Sequence, residues 1–293
     1  MGTAQVVRLP AMPGVAGLMA RAVLPGSGRP PATAGLPERI VVVERYLQDP
    51  DRLAAYSRVT GFGIRNAVPA TWLHVLTFPL HLHVMAQSDF PFPLAGVLHA
   101  SNEMTLHRPV AVSEPLTIEV TASGLAPHKL GASFDLVGTV RVGDETVWTG
   151  RSVYLAKGRQ LPGEPPPTAA PRLAAPDGPA SQKWNLPSDL GRRYAEVSGD
   201  SNPIHLHPLT AMPFGLKRPI IHGMWTHARA LSALGPLVPD AFTVKVTFTK
   251  PISLPGRVWF SVAQDETGAR FAVVNSDQTQ TFLVGALTHQ QAQ

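Results

Sequence analysis

The chain has no cysteine. A disulfide scaffold, a thiolate zinc site, an iron–sulfur cluster and a cysteine nucleophile are therefore excluded. Charge is scarce as well: Asp, Glu, Lys and Arg make up 15% of the 293 residues, against a usual quarter. With 44% hydrophobic residues, this composition is that of a globular chain, not a disordered one. Residues 1–37 lack Asp and Glu but carry Arg8, Arg21, Arg29 and six prolines. The prolines would break the amphipathic helix of a transit peptide, so the stretch reads as a flexible N-terminal tail, disordered or loosely docked. No run approaches the roughly 18 uncharged apolar residues of a membrane span, and the expected location is cytoplasmic. The net charge is +5, yet the 25 Lys and Arg are scattered. No nucleic-acid motif accompanies them, and nucleic acid is not an expected partner. There is no Gly-x-Ser-x-Gly elbow, and Gly61-x-Gly63 lacks the third glycine of a dinucleotide loop.

What is present falls into two halves. A proline cluster at Leu161–Pro187 cannot be a central strand or a long helix. It reads as an extended linker, placed at 159–182, between a first domain at 38–158 and a second at 183–293. The halves resemble a diverged repeat. Tyr56-Ser57-Arg58-Val59-Thr60-Gly61 is echoed by Tyr194-Ala195-Glu196-Val197-Ser198-Gly199 at an offset of 138. Arg108-Pro109-Val110 is echoed by Lys250-Pro251-Ile252 at 142.

Both halves end in strand-like runs. Leu116–Ala122, Ala132–Arg141 and Thr146–Leu155 are matched by Val258–Gln264, Arg270–Asn275 and Thr279–Leu287. Gly143-Asp144 and Glu266-Thr267-Gly268 supply turns. Such close spacing implies antiparallel meanders. Each is preceded by a helical segment. Gly223–Leu234 has Met224, Ala228, Leu231 and Leu234 at helical spacing and stops at Gly235-Pro236. Ala70–Met85 is interrupted by Pro79, which is expected to kink it. One helix with one antiparallel sheet, used twice, is an α+β architecture.

The chemistry is concentrated in Ser198-Gly199-Asp200-Ser201-Asn202-Pro203-Ile204-His205. Asn202 precedes a proline and is pushed out of the helical region. An irregular loop would thus bring the Asp200 carboxylate and the His205 imidazole together, a pair able to move protons near neutral pH. Asn202 can fix the loop by bonding its own backbone. The bland alternative is a turn with an Asx cap and no chemistry.

The string Tyr194-x3-Ser198-Gly199-Asp200-x-Asn202-Pro203-Ile204-His205, with the later Pro219-Ile220-Ile221-His222-Gly223-Met224, resembles the signature of the MaoC-like, or (R)-specific enoyl-CoA hydratase, family. The resemblance covers the second half; the first enters only through the repeat. It implies a double hotdog, in which two antiparallel sheets each wrap around a long helix. It also implies reversible hydration of trans-2-enoyl thioesters to (3R)-hydroxyacyl thioesters, without cofactor or metal. Asp200 and His205 then match the catalytic pair, and Asn202 the residue that orders the loop. Gly223 matches the glycine whose amide meets the thioester carbonyl. An amide at a helix start lacks an intrahelical acceptor, which suits that task; a packing glycine is the alternative.

The first half departs from the pattern. Thr60-Gly61 is followed by Phe62-Gly63-Ile64-Arg65-Asn66, with no counterpart of Asp200 or His205. The resemblance implies that this half houses the acyl chain, with Trp72 and Leu76 as binding residues on its helix; both could equally be core. Lys217 and Arg218 could meet the phosphates of coenzyme A or an acidic carrier protein, or form a solvated face. His81-x-His83 and His205-x-His207 have no third ligand at metal spacing, so no metal is expected. The expected partner is an acyl-CoA or acyl-carrier-protein thioester, and a homodimer is allowed. A hotdog thioesterase would need a carboxylate on or near Gly223–Leu234, which has none. A non-catalytic acyl-binding subunit would lack Asp200 or His205.

Overall fold

The structure, a computed structural model, describes residues 4–23, 28–63, 65–94, 96–166 and 173–290. Two compact units share the chain. The first takes Met1–Gln48, Leu73–Asn102 and Ser113–Pro171; the second takes Asp49–Trp72, Glu103–Val112 and Arg172–Gln293. This differs from the sequential division at 38–158 and 183–293, because two early segments pack on late ones. Helix α2 (Pro50–Thr60) lies against α4 (Leu190–Ser198). The end of β3 (Val97–Leu106) reaches β8 (Phe242–Phe248), where the hydroxyls of Thr105 and Thr243 share a hydrogen bond of 2.8 Å. These two threonines stand 138 apart, the offset of the sequence repeat.

In the first unit, β4 (Leu116–His128), β5 (Gly131–Val142) and β6 (Glu145–Lys157) form the expected antiparallel meander. Gly143-Asp144 makes the tight β5–β6 turn, with Val142 opposite Glu145 and Gly143 at a left-handed φ of 57°. Glycine tolerates that φ at no steric cost. Leu116, Ile118 and Val120 alternate inward on β4, as do Phe134, Leu136 and Val140 on β5. Helix α3 (Ala70–Ala86) continues through Pro79 as one element. Within this unit it contributes Leu73, Leu76, Leu80 and Leu82, all at most 1% exposed. Gly138 on β5 lets Thr77 of α3 approach; a Cβ there would come within 2.9 Å of the Thr77 methyl.

The tail expectation is corrected. β1 (Gln5–Leu9) pairs in parallel with β2 (Arg39–Tyr46), from Gln5 opposite Arg39 to Leu9 opposite Val43, and α1 spans Val15–Val23. The β1 partner lies some thirty residues downstream, so nothing local announces the pairing. The end of the proline cluster, from the last residue of the expected linker onward, forms β7 (Gln182–Leu186), which among the described residues is an edge strand paired with β9 (Gly256–Asp265). Proline is tolerated beside edge strands, where one row of backbone donors needs no ladder partner.

The second unit's sheet runs β8, β11 (Thr281–His289), β10 (Gly268–Val274), β9, β7, with each adjacent pair antiparallel. Glu266-Thr267 turns β9 into β10, held by Asp265 Oδ1, which accepts from Thr267 N at 2.9 Å and Gly268 N at 3.1 Å. Helix α6 (Gly223–Leu234) packs on β10 and β11, burying Met224, Ala228, Leu231 and Leu234. Each unit thus sets a helix against a sheet, antiparallel in the second unit and antiparallel but for the β1–β2 pair in the first, as the α+β expectation has it. Among the described residues, no helix is long and apolar enough to cross a membrane.

Candidate active site

The site grows from the end of α4. Gly199 caps this helix in the left-handed region (φ 81°, ψ −4°), its N–H returning to Ala195 O at 2.8 Å. Three short turns follow, each built from a side-chain oxygen and the amide two residues on. Ser198 Oγ accepts from Asp200 N at 3.1 Å. Asp200 Oδ1 accepts from Asn202 N at 3.2 Å, and Asn202 Oδ1 from Ile204 N at 3.4 Å. Ser, Asp and Asn favour these local bonds over helix. Asn202 also heads the single 3-10 turn Pro203–His205. The loop folds back onto α4 at Gly191, where a Cβ would collide with the His205 carbonyl oxygen.

His205 is 8% exposed. Its Nδ1 lies 2.8 Å from Ile220 O. A carbonyl can only accept, so Nδ1 carries the proton, and in the neutral ring Nε2 carries the lone pair. His222 is 2% exposed. Its Nε2 donates to Asp200 O at 2.8 Å and lies 3.9 Å from Asp200 Oδ2. The His205 and His222 rings stack, with centroids 3.7 Å apart and planes at 27°. One titratable atom from each of Asp200, His205 and His222 lies within 4.8 Å of the others.

Burial dominates the electrostatics. It raises the Asp200 pKa above the ordinary carboxylate value, opposed by His205 and the Asn202 amide. It lowers His205, opposed by Asp200 and the Ile220 carbonyl. His222 is held well below the usual imidazole value by burial and by His205. The result is a neutral imidazole with a free lone pair beside a carboxyl group that is easier than usual to protonate. Such a pair can both accept and return a proton.

Asp200, His205 and Asn202 therefore meet in one loop. Gly223 directly follows His222 as the first residue of α6, with no intrahelical acceptor for its amide. A Cβ at Gly223 would come within 3.0 Å of the Phe248 ring. Trp72 is fully buried and reaches the site through rings: Trp72 to Tyr56 at 5.3 Å, Tyr56 to Tyr194 at 6.2 Å, Tyr194 to His222 at 4.9 Å. Leu76 belongs to the core of the first unit. Lys217 and Arg218 are exposed, and Arg218 Nη1 donates to Pro255 O at 3.3 Å.

His222 is the residue that spacing did not flag. Its signal was its place in the Pro219–Met224 block, immediately before Gly223. No third ligand stands at metal spacing from His205 and His207 in the sequence; the fold brings His222 to His205 from 17 positions away. His81 and His83 lie on α3, and His207 Nδ1 accepts from Leu209 N at 3.2 Å.

Known proteins share this arrangement of elements. The family described as "MaoC like domain" matches residues 162–284. The 3-hydroxyacyl-thioester dehydratase X of Mycobacterium tuberculosis is 39% identical over 241 residues, 81% of this chain and 85% of the relative. The crystal structure of HtdX from the same organism superposes with a TM-score of 0.76, covering 86% of this chain and 100% of that one at 32% identity. A MaoC-like dehydratase from Phytophthora capsici shares the fold, with a TM-score of 0.71 over 86% of this chain and 94% of that one at 18% identity. These likenesses carry the double-hotdog architecture, and the chain belongs to the MaoC-like family.

Proposed function

We propose that the chain is a hydro-lyase that interconverts a trans-2-enoyl thioester and a (3R)-hydroxyacyl thioester, with Asp200 and His205 as its acid–base pair. The carrying observation is the close approach of these two side chains, each fixed by hydrogen bonds to the main chain. In the hydration direction, His205 Nε2 takes a proton from a water that Asp200 helps to hold. The hydroxyl adds to C3, and electron density moves to the thioester carbonyl oxygen. The Gly223 amide, at the positive end of α6, meets that charge. Delivery of the proton to C2 completes the addition of H and OH and returns the pair to its starting state. Dehydration is the same path reversed.

The 3-hydroxyacyl-thioester dehydratase named among the relatives supports this substrate class. The acyl carrier would be coenzyme A or a carrier protein, met by the exposed Lys217 and Arg218. The direct test follows the absorbance of the enoyl thioester band with C4, C8 and C16 substrates. Loss of absorbance on adding water across the double bond is expected; an unchanged spectrum with all three would overturn the reading. A thioesterase would instead release free thiol.

A further inference from the structure

His222 lies outside the string that carries the acid–base pair, yet three contacts join it to the site's working parts. Its Nε2–H donates to the carbonyl of Asp200 at 2.8 Å. Its ring lies flat on His205 at 3.7 Å. Its own carbonyl accepts from Thr226 N at 3.2 Å, which starts the hydrogen-bonding of α6. One residue therefore touches the acid, the base and the helix whose first amide belongs to Gly223.

The loop has few other anchors on its Asp200 side. Among the described residues Asp200 N and Oδ1 bond within the segment 198–202, and such local turns fix a shape without fixing where it sits. His205 is pinned through Ile220 O, and Ile220 N returns to Ile204 O at 3.0 Å. The Asp200 end receives its long-range bond from His222. A packing role alone would not explain an imidazole there. The ring is buried, and among the described residues its Nδ1 has no hydrogen-bond partner. A buried polar atom left without its bond is costly, so an apolar ring of similar size would fill the space at lower cost.

We infer that His222 is a positioning residue: it ties the Asp200–His205 loop to the start of α6, so that the acid, the base and the Gly223 amide keep one fixed geometry. The inference rests on the hydro-lyase reading. It needs no contact between His222 and substrate.

The test compares three variants of the full chain on one enoyl thioester. His222→Gln would place an amide N–H close to where the ring Nε2 now lies. His222→Asn would fall short of that point, and His222→Leu would donate nothing. His222→Leu and His222→Asn are expected to lower kcat about a hundredfold, the scale of a small misplacement of reacting groups, with KM nearly unchanged. Both should also displace the pH profile of kcat/KM, because Asp200 and His205 are its titrating groups. His222→Gln is expected to restore most of kcat and the wild-type profile. If His222→Leu does not fold, the Gln and Asn variants decide alone. A His222→Gln enzyme no better than His222→Asn, or a folded His222→Leu enzyme with wild-type kcat and pH profile, overturns the inference. An inactive wild type would instead overturn the underlying reading.

Discussion

Helices α2 and α4 are two copies of one pattern, and only α4 leads into the loop of the proposed acid–base pair. Each carries a tyrosine five residues before a terminal glycine, Tyr56 with Gly61 and Tyr194 with Gly199. Both glycines are left-handed, and both amides return to the carbonyl four residues back at 2.8 Å. The two tyrosine rings lie 6.2 Å apart inside one unit. What differs is the chain that follows. Nine positions separate Gly61 from the start of α3 at Ala70, and 24 separate Gly199 from the start of α6 at Gly223. The longer connection turns three times on Ser, Asp and Asn and lies down on α4 at Gly191. In α2 the equivalent position is Leu53, and Leu53, Ala54 and Ser57, with Gly63 and Arg65, line a cavity of about 120 Å³. The helix pair is common to both repeats; the longer loop is what brings Asp200 and His205 together.

The strongest way to test this contrast is to remove the loop's chemistry. Asp200→Asn and His205→Gln should each lower turnover by about 10²- to 10⁴-fold with the fold retained, measured by enoyl absorbance and circular dichroism. The double variant should be little worse than either single one, since both groups serve one proton transfer. Phe62 stands at the position of Asp200 in the first repeat, and Phe62→Leu should leave turnover near wild type. A comparable loss there would mean that both repeats contribute to catalysis.

A second pair of changes separates loop seating from stability. Gly191→Ala puts a Cβ into the His205 carbonyl and should cost about a hundredfold in kcat by shifting His205. Leu53→Ala should do the reverse. It removes a mostly buried side chain, costs about 2 kcal/mol of stability in a denaturant titration, and spares the intrinsic kcat of the folded fraction. Equal kinetic losses in both would erase the distinction between the helices.

Acid should weaken the first unit through imidazoles that take no part in the chemistry. His74 and His81 pack edge to face on α3 with ring centroids 5.5 Å apart. Burial lowers His74 to about 4 and His81 well below its usual value. A lowered histidine is neutral in the native state, while the unfolded chain takes up a proton below about pH 6.5. Its stabilising effect is therefore full above about pH 6.5 and lost as the pH falls toward about 4. His74 alone should lower stability by about 2 kcal/mol between about pH 7 and about pH 5, read from denaturant midpoints. His74→Leu should flatten that slope, and an unchanged slope would show that the ring is not buried as a neutral group.

The smallest effect is expected at the rim. Lys217→Ala and Arg218→Ala should raise KM for an acyl-CoA severalfold, by at most ~1 kcal/mol each, with kcat unchanged and the difference fading at high salt. No change in KM at low salt would assign both residues to a solvated face.

Whatever depends on near neighbours in the chain was legible before any fold was known. The Asp200–His205 loop could be read because each of its turns closes over two residues, and Ser, Asp, Asn and Pro carry that preference locally. The hairpins could be read because Gly143-Asp144 and Glu266-Thr267 are two-residue turns between alternating strands. Helix α6 announced itself by its spacing and its glycine stop. The remaining features exist only once distant segments meet. His222 joins the site from 17 positions beyond His205 through a hydrogen bond and a ring stack, neither of which leaves a periodic trace. β1 finds β2 in parallel across some thirty residues of the presumed tail, and α2 leaves its own half to pack on α4. Leu76 and Trp72, one turn apart on α3, fall in different units for the same reason. Those outcomes are set by which surfaces exclude water together, a property of the folded chain that no local pattern encodes.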